Sequence, residues 1–224
     1  EMRCCVKGLT FLLNNTETEI FTLEDGKPSF YSSSRWGKET GVFPYVLVTI
    51  GSGVSVLKVS SPDSFERVSG TALGGASFWG LCKMLTDVGH YDDVMSLVEN
   101  GDSRKADLVV GDIYGGSYSS IGLPADVTAS FFGKLQRPNV PKPGTADVAK
   151  SLLNMVIMNV AQISFLNATL HGLTTIFFSG SFLRNHPPIW QLLSNAIAFW
   201  SKGSMKPMFL LHDGYLGALG ALLE

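Results

Sequence analysis

Apolar residues at helical or alternating spacing, broken by glycine-containing turns, predict a chain of short helices and strands. Helical spacing between residues 6 and 13 predicts a first helix, and Asp25-Gly26 predicts the turn of a hairpin within residues 18–30. Further strands are predicted at residues 45–50, 54–59, 66–69, 174–178 and 208–211, and further helices at residues 73–86, 91–99, 104–110, 146–170, 188–200 and 217–223. Mixed strands and helices of this kind predict the α/β class.

Two stretches lack such a pattern. Residues 32–40 are polar and predict a surface loop. Residues 136–144 contain three prolines and predict an exposed linker, which is the expected hinge of the chain. The first helical pattern begins at the first residues of the sequence, so we expect that a lobe normally precedes it.

The most informative stretch is a Gly-Ser-Gly turn between two strands. Gly51 and Gly53 permit close approach of a ligand to the backbone, and Ser52 and Ser55 place hydroxyl groups at the turn. Arg67 adds a forked, permanent cation nearby in the sequence. This grouping suits a small anion or a phosphoryl group.

A plain hairpin whose turn is made of small residues would give the same local sequence. The helix predicted at residues 73–86 opens on a second glycine-rich loop, Gly74-Gly75. A helix N-terminus after glycines can hold an anion, although the glycines can equally serve close packing. Together with Arg67, this second loop favours a binding site over the plain hairpin.

Composition narrows the classes of function. The 224 residues carry a formal net charge of −2 with only 16% charged residues, so a general nucleic-acid-binding role is not expected. Three cysteines without metal-ligand spacing favour a reducing compartment and no structural metal. Hydrolase, zinc-protease and Walker-type motifs do not occur, and the four histidines are scattered.

Three further features needed interpretation. Asp102, Asp107 and Asp112 lie five residues apart, which fits neither an EF-hand nor one helical face, so we expect them to be solvated. The helix at 146–170 has no formal charge between Lys150 and His171, but its asparagines and glutamine favour a core or intersubunit helix over a membrane span. The glycine-rich junctions with hydroxyl groups and a cation are what phosphoryl transfer requires.

Eight motifs then appear in the order of one known family. They are IGSGVS (50–55), FERVSGTALGGASFWGL (65–81), NGDSRKAD (100–107), DIYGGSY (112–118), GLPADVTASFFGK (122–134), FFSGSFLR (177–184), FWSKG (199–203) and FLLHDGYLGALGALL (209–223). Together they resemble the C-terminal portion of eukaryotic-type (type II) pantothenate kinases, across essentially the whole chain.

The resemblance implies that residues 1–224 form the C-terminal lobe of an actin/hexokinase-like (ribonuclease H-like) kinase, with a mixed β-sheet and flanking helices. It implies ATP- and Mg²⁺-dependent phosphorylation of pantothenate to 4'-phosphopantothenate, the first step of coenzyme A synthesis. It further implies inhibition by acetyl-CoA, a homodimer and a cytoplasmic location.

The resemblance also implies roles for individual residues. Ser52, Ser55 and Arg67 match positions that contact pantothenate or acetyl-CoA. Gly53 and Gly180 match positions near the nucleotide. The positions that match the channel for the pantetheine arm, or its wall at the dimer, are Tyr114, Ala129 and Trp200.

Some features of the family are missing. Its first phosphate loop and its general-base glutamate are expected upstream of this chain, so the fragment alone is expected to be inactive. Ala76 stands where a third glycine is frequent, and Ser181 stands where asparagine is frequent. A catalytically inactive, regulatory relative and a kinase for another acid or a sugar remain alternatives to a pantothenate kinase.

Overall fold

The computed structural model describes residues 1–31, 41–184 and 186–224, and the predicted loop at residues 32–40 lies outside them. Within the described residues the chain divides into two compact units. The first contains residues 1–76 and 157–224, and the second contains residues 77–156.

The helices and strands are short except for one. The strands are β1 (Ile20–Glu24), β2 (Lys27–Tyr31), β3 (Tyr45–Ile50), β4 (Val54–Ser61), β5 (Ser64–Thr71), β6 (Leu108–Val109), β7 (Thr128–Ser130), β8 (Thr175–Ser179) and β9 (Lys206–Leu210). The helices are α1 (Met2–Asn15), α2 (Gly75–Leu85), α3 (Tyr91–Asn100), α4 (Val110–Tyr114), α5 (Thr145–Leu170), α6 (Pro187–Ser201) and α7 (Leu216–Leu222).

A mixed seven-stranded sheet forms the first unit, in the order β2-β1-β9-β8-β3-β4-β5. β3 pairs in parallel with β8, and β8 pairs in parallel with β9, whereas the outer pairs are antiparallel. The hairpin at Asp25-Gly26 and the β3–β4–β5 meander agree with the sequence prediction. The α/β class with a mixed sheet is therefore confirmed.

Helices cover both faces of this sheet. Alternate residues of a strand point to opposite faces. Met208 and Leu210 join the core cluster beneath α1, with Val6 and Leu9. Phe209 between them faces Trp190 of α6 at a ring-centroid distance of 6.3 Å. The first unit thus has a helix–sheet–helix arrangement, as the flanking helices of the prediction require.

Glycines let α1 and α7 cross closely on one of these faces. A Cβ atom added to Gly8 would overlap the backbone carbonyl of Leu216, and one added to Gly220 would overlap that of Cys4. The two helices therefore touch through their backbones. Lys7 adds an ion pair to Glu224, with Nζ to Oε1 at 3.1 Å.

The second unit is organised by buried and half-buried carboxylates. Asp147 accepts from the backbone N–H of Asp102 at 2.9 Å and pairs with Lys105. Asp107 is fully buried and accepts from the N–H of Phe132 and the hydroxyl of Ser151. The sequence prediction that Asp107 is solvated is wrong, because its carboxylate accepts from two groups that lie far along the chain, on Phe132 and Ser151.

The helix predicted at residues 104–110 is also wrong. A single 3₁₀ turn at Ser103–Lys105 is followed by β6, which pairs with β7. Helical structure begins only at Val110, after the backbone N–H of Val109 has bonded to the carboxylate of Asp112 at 3.0 Å. A partner strand about twenty residues away has overridden the local helical pattern.

The long helix α5 is the one candidate for a membrane span among the described residues. By length and composition alone it could cross a membrane, but 44% of its most apolar segment is buried in the structure. Core helices of soluble proteins pass the same test. Fully buried Val160 and Ala161 fit the core helix that the sequence predicts.

We expect Gly8→Ala to lower the free energy of unfolding by about 1–3 kcal/mol, because the new methyl group overlaps the backbone of α7. Gly80→Ala is the matched control, since Gly80 is also helical but has open space around it. The control should be neutral or stabilising by up to about 1 kcal/mol. Chemical denaturation measures both, and equal effects would contradict the close helix crossing.

Candidate functional site

Two glycine loops meet at the end of β3. The carbonyl of Gly51 accepts from the N–H of Gly75 at 2.8 Å, and the carbonyl of Ser52 accepts from the N–H of Ala76 at 3.2 Å. A Cβ atom on Gly74 would lie 2.7 Å from the Ser52 carbonyl oxygen. The sequence predicted these loops separately, and the structure shows that each holds the other.

The cation of the predicted site lies across the neighbouring strands. Nε of Arg67 on β5 donates to Oγ of Ser55 on β4 at 3.4 Å. Ser55 is paired in register with Gly70, and the guanidinium occupies the space that a side chain at Gly70 would fill. The missing side chain of Gly70 therefore lets Arg67 reach Ser55.

Hydroxyl groups continue from Ser55 into the centre of the sheet. Thr49 is paired with Ser55 on one side and with Ser179 on the other. The hydroxyl oxygens of Thr49 and Ser179 are 3.4 Å apart. Three adjacent strands thus present hydroxyl groups in one row. The sequence analysis did not identify Thr49, because only strand register places it beside Ser55.

A cavity of about 630 Å³ opens over these groups. It is lined by Glu1, Met2, Cys5, Thr49, Gly51, Ser52, Gly53, Val54, Ser55, Arg67, Gly70, Thr71 and Ala72. Its walls offer one guanidinium, several hydroxyl groups and the carboxylate of Glu1. Such a set can bind an anionic ligand and accept a proton from a hydroxyl group.

Glu1 is the functional candidate that the sequence analysis missed. It precedes α1, and its side chain does not cap that helix. Among the described residues that line the cavity, it provides the carboxylate. A local motif could not have identified it, because nearly fifty residues separate it from the Gly51–Gly53 turn.

The predicted site residues are only partly brought together. Ser52, Gly53, Ser55 and Arg67 all line the cavity. Gly180 follows β8 with φ 119°, where a side chain would overlap Ile50 at the end of β3. The structure therefore places the predicted residues of the Gly51–Gly53 turn around the cavity with Arg67, and it places Gly180 against the end of β3.

The remaining three predicted site residues do not line this cavity, and the roles of all eight stay predictions. Tyr114 of the second unit is 56% exposed and stacks on Tyr118 at a centroid distance of 4.4 Å. Ala129 of the same unit is exposed on β7. Trp200 of the first unit is half-buried and stacks on Phe165.

A buried carboxyl group lies behind the Gly180 turn. Asp213 Oδ1 accepts from the N–H of Gly180 at 2.9 Å and of Gly214 at 2.7 Å, while Oδ2 is buried with no hydrogen-bond partner among the described residues. Burial raises the pKa of Asp213 to about 7, against the opposing effect of the two N–H donors. The nearby Glu19 adds to the increase.

Burial also governs the cavity thiol. Desolvation raises the pKa of Cys5, and the neighbouring Glu1 raises it further. Cys5 is therefore a neutral thiol at physiological pH. No group of three or more His, Cys, Asp or Glu side chains comes together as a metal site within residues 1–31, 41–184 and 186–224.

The mixed sheet defines an α/β protein with a glycine-flanked polar cavity. The sequence signature of the Fumble family, the pantothenate kinases, matches residues 1–224, which is the whole chain. The chain therefore belongs to the Fumble (pantothenate kinase) family. This membership supports the actin/hexokinase-like lobe that the sequence resemblance implies.

Curated relatives carry two kinds of name. "Pantothenate kinase 2" and "Pantothenate kinase 1" of Arabidopsis thaliana are each 45% identical, over 100% and 99% of this chain and 25% and 57% of their own lengths. "4'-phosphopantetheine phosphatase" of Mus musculus is 40% identical, over 100% of this chain and 27% of its own length. The chain thus spans between a quarter and somewhat over half of these relatives.

Solved structures of sugar kinases are similar at a lower level. Glucokinase from Balamuthia mandrillaris, in complex with glucose, is 13% identical with a TM-score of 0.47, over 99% of this chain and 63% of its own. Xylulose kinase from Lactobacillus acidophilus is 13% identical with a TM-score of 0.47, over 80% and 37%. Similarity at this level supports no conclusion about the substrate.

We expect the contribution of Asp213 to the stability of the protein to fall as the pH rises from about 4 to about 7. Its pKa of about 7 in the folded state exceeds the usual 3.8, so the folded state binds more protons across this interval. The loss is at most about 1.4 kcal/mol per pH unit.

Asp213→Asn removes the charge and keeps one acceptor oxygen, so this contribution should disappear. Melting temperatures of the full-length protein measured at pH 5 and pH 7.5 test the expectation. The melting temperature of the variant should increase relative to that of the wild type as the pH rises. A constant difference between the two proteins would contradict the raised pKa.

Proposed function

We propose that the full-length protein transfers the γ-phosphoryl group of ATP to pantothenate, forming 4'-phosphopantothenate in coenzyme A synthesis. The observation that carries this proposal is the cavity in which Arg67, Ser52 and Ser55 lie with the carboxylate of Glu1. Family membership supports pantothenate as the acceptor. The relatives' names supply the reaction, and the cavity supplies groups that suit it.

Each group has a chemical role in this proposal. Pantothenate carries a carboxylate, an amide and hydroxyl groups. Arg67 binds its negative charge or that of the transferred phosphoryl group, and Ser52 and Ser55 hydrogen-bond the polar parts of the substrate. The hydroxyl oxygen of pantothenate attacks the γ-phosphorus, and the bond between that phosphorus and the ADP oxygen breaks.

The proton of the attacking hydroxyl group needs an acceptor. Glu1 is the candidate because it is the acidic residue among those that line the cavity with Ser52, Ser55 and Arg67, and a general base must approach the substrate. The upstream glutamate expected from the resemblance is the competing assignment. A carboxylate from either source would serve the same chemical step.

ATP and Mg²⁺ enter this proposal as the second substrate and its ion. Gly53 and Gly180 are the residues expected near the nucleotide, and both belong to turns at the ends of central strands. The described residues hold no cluster of three metal-ligating side chains. Mg²⁺ would enter with the phosphate oxygens of ATP, and one or two carboxylates with several waters would complete its coordination, as is common for this ion.

Acetyl-CoA inhibition, a homodimer and a cytoplasmic location belong to the same proposal. The channel residues expected for acetyl-CoA are Tyr114, Ala129 and Trp200. Exposed apolar side chains on α5 and α6, Leu166, Leu170 and Phe199, support a homodimer, because such surface is usually covered by a partner. Sedimentation of the full-length protein tests the homodimer, and its kinase activity with and without acetyl-CoA tests the inhibition.

An inactive, regulatory relative is the alternative, because one relative, from Mus musculus, does not carry the name of a kinase. A coupled assay of the full-length protein with ATP and pantothenate separates the two. Sugars in place of pantothenate test the further alternative of another small-molecule kinase. Turnover of ATP with pantothenate but not with sugars supports the proposal. The absence of turnover with every acceptor supports the regulatory role.

We expect Arg67→Ala to lower kcat/KM for pantothenate by at least about tenfold, because one charge-assisted contact is lost. Arg104→Ala is the matched control, since Arg104 is an exposed arginine that pairs with Asp102 in the second unit. Steady-state kinetics of both variants in the full-length protein give the comparison. Equally small changes of kcat/KM in the two variants would show that Arg67 does not contact the substrate.

We expect Glu1→Gln to lower kcat by about a hundredfold or more with little change in KM for pantothenate, because glutamine cannot accept the proton. Glu24→Gln replaces an exposed glutamate at the end of β1 and is the control. Unchanged kcat in Glu1→Gln would assign the base to another residue, such as the upstream glutamate.

A further inference from the structure

Asp213 has a structural position that the proposed reaction does not use. It lies between β9 and α7, is 3% exposed, and accepts two backbone N–H groups through a single oxygen atom. Its second oxygen is buried, and no described residue forms a hydrogen bond with it. Burying a carboxyl group in this way is costly, so a structural or functional gain must offset the cost.

One of its two partners is the turn at the end of β8. Gly180 has φ 119°, a conformation that residues with side chains rarely adopt. A side chain there would overlap the backbone of Ile50. The N–H of Phe182 in the same turn bonds to the carbonyl of Ile50 at 3.3 Å. The turn that Asp213 holds therefore lies directly against the end of β3.

Two routes lead from this turn to the cavity. The ring of Phe182 packs against Gly75, whose N–H bonds to the carbonyl of Gly51 in the cavity wall. Ser179, next to Gly180, contacts the hydroxyl of Thr49, which lines the cavity. A displacement of the Gly180 turn would thus shift both the Gly51–Gly53 turn and the hydroxyl row.

We propose that Asp213 is a positioning residue, whose carboxyl group fixes the Gly180 turn and thereby the Gly51–Gly53 wall of the cavity. Its kinetic consequences rest on the proposed kinase function, whereas its effect on the backbone does not. Asp213 does not line the cavity, and it acts through the backbone of Gly180.

Several titratable or charged groups surround Asp213. Glu19 lies before β1, and its carboxylate bonds to the N–H and the ring of the adjacent His212. Cys5 of α1 interacts electrostatically with Asp213. Arg184, after β8, lies beside Gly214 and donates to the hydroxyl of Tyr215. The described contacts include no cation that bonds to the carboxyl group itself.

Burial opposes the charge of the carboxylate and is a larger effect than the two N–H donors, which favour the ionised form. The closed turn is therefore the state in which Asp213 is protonated. Its pKa is about 7 and exceeds the value of a solvated aspartate, so ionisation favours states in which the carboxyl group reaches water. Above about pH 7 the Gly180 turn should open more readily. Asparagine has the same shape as the neutral acid, keeps one acceptor oxygen and does not ionise in this range.

The experiment compares Asp213→Asn and Asp213→Ala in the full-length protein. Thr22→Val is the control, because it removes another buried hydrogen bond of the first unit, from Thr22 to the Pro207 carbonyl. Hydrogen exchange of peptides that cover residues 49–53 is measured by mass spectrometry from pH 5.5 to 8.5. Kinetics with pantothenate are measured over the same range.

Asp213→Ala should raise exchange at residues 49–53 by about tenfold and lower kcat/KM by a similar factor, because both N–H groups lose their acceptor. Asp213→Asn should match the wild type at pH 6. By pH 8.5 the wild type should exchange at least about threefold faster than Asp213→Asn, because only the aspartate ionises. Thr22→Val should change neither measurement at these residues.

Two results would overturn the proposal. One is Asp213→Ala with exchange at residues 49–53 equal to that of Thr22→Val. The other is a ratio of wild-type to Asp213→Asn exchange that stays constant across the pH range, and this second result decides the matter if Asp213→Ala does not fold. A wild type without pantothenate kinase activity would overturn the proposed function, while the exchange result would still decide the role of Asp213.

Discussion

The contact between two glycine loops is the constraint on which the site depends. The carbonyl of Gly51 accepts from the N–H of Gly75, and the absence of a side chain at Gly74 allows the loops to approach. This contact fixes the direction in which Ser52 leaves the end of β3. It also places the start of α2 against the turn. A side chain at Gly74 would separate the loops and open the cavity wall.

Sequence reasoning succeeded where the determining interactions are local. The turn and both strands of the β3–β4 hairpin were predicted, because alternating apolar residues flank Gly-Ser-Gly. The helix predicted at residues 104–110 failed because β6 pairs with a strand about twenty residues later. Asp107 was misjudged for a similar reason, since its acceptors serve Phe132 and Ser151 far along the chain.

The same distinction applies to the site. Ser52, Ser55 and Arg67 lie within one meander, so their proximity follows from local pairing. Thr49 required the strand register, and Glu1 required the packing of α1 near the meander. Asp213 lies 33 residues beyond Gly180 and meets it only because β9 pairs with β8. Glycine and hydroxyl motifs indicate the cavity in the sequence. Only the fold shows that Glu1 lines it and that Asp213 lies behind the Gly180 turn.

Family membership alone does not determine which reaction such a cavity supports. Relatives 40–45% identical to this chain are named as kinases and as a phosphatase, and each match covers only part of the longer protein. A change of activity within the family must therefore arise from a few side chains or from regions outside the match. The cavity combines a guanidinium that can hold an anion with a carboxylate that can take a proton. Because a protein that only bound its ligand would need the first group but not the second, Glu1 is, in the proposed reaction, the side chain that separates catalysis from binding.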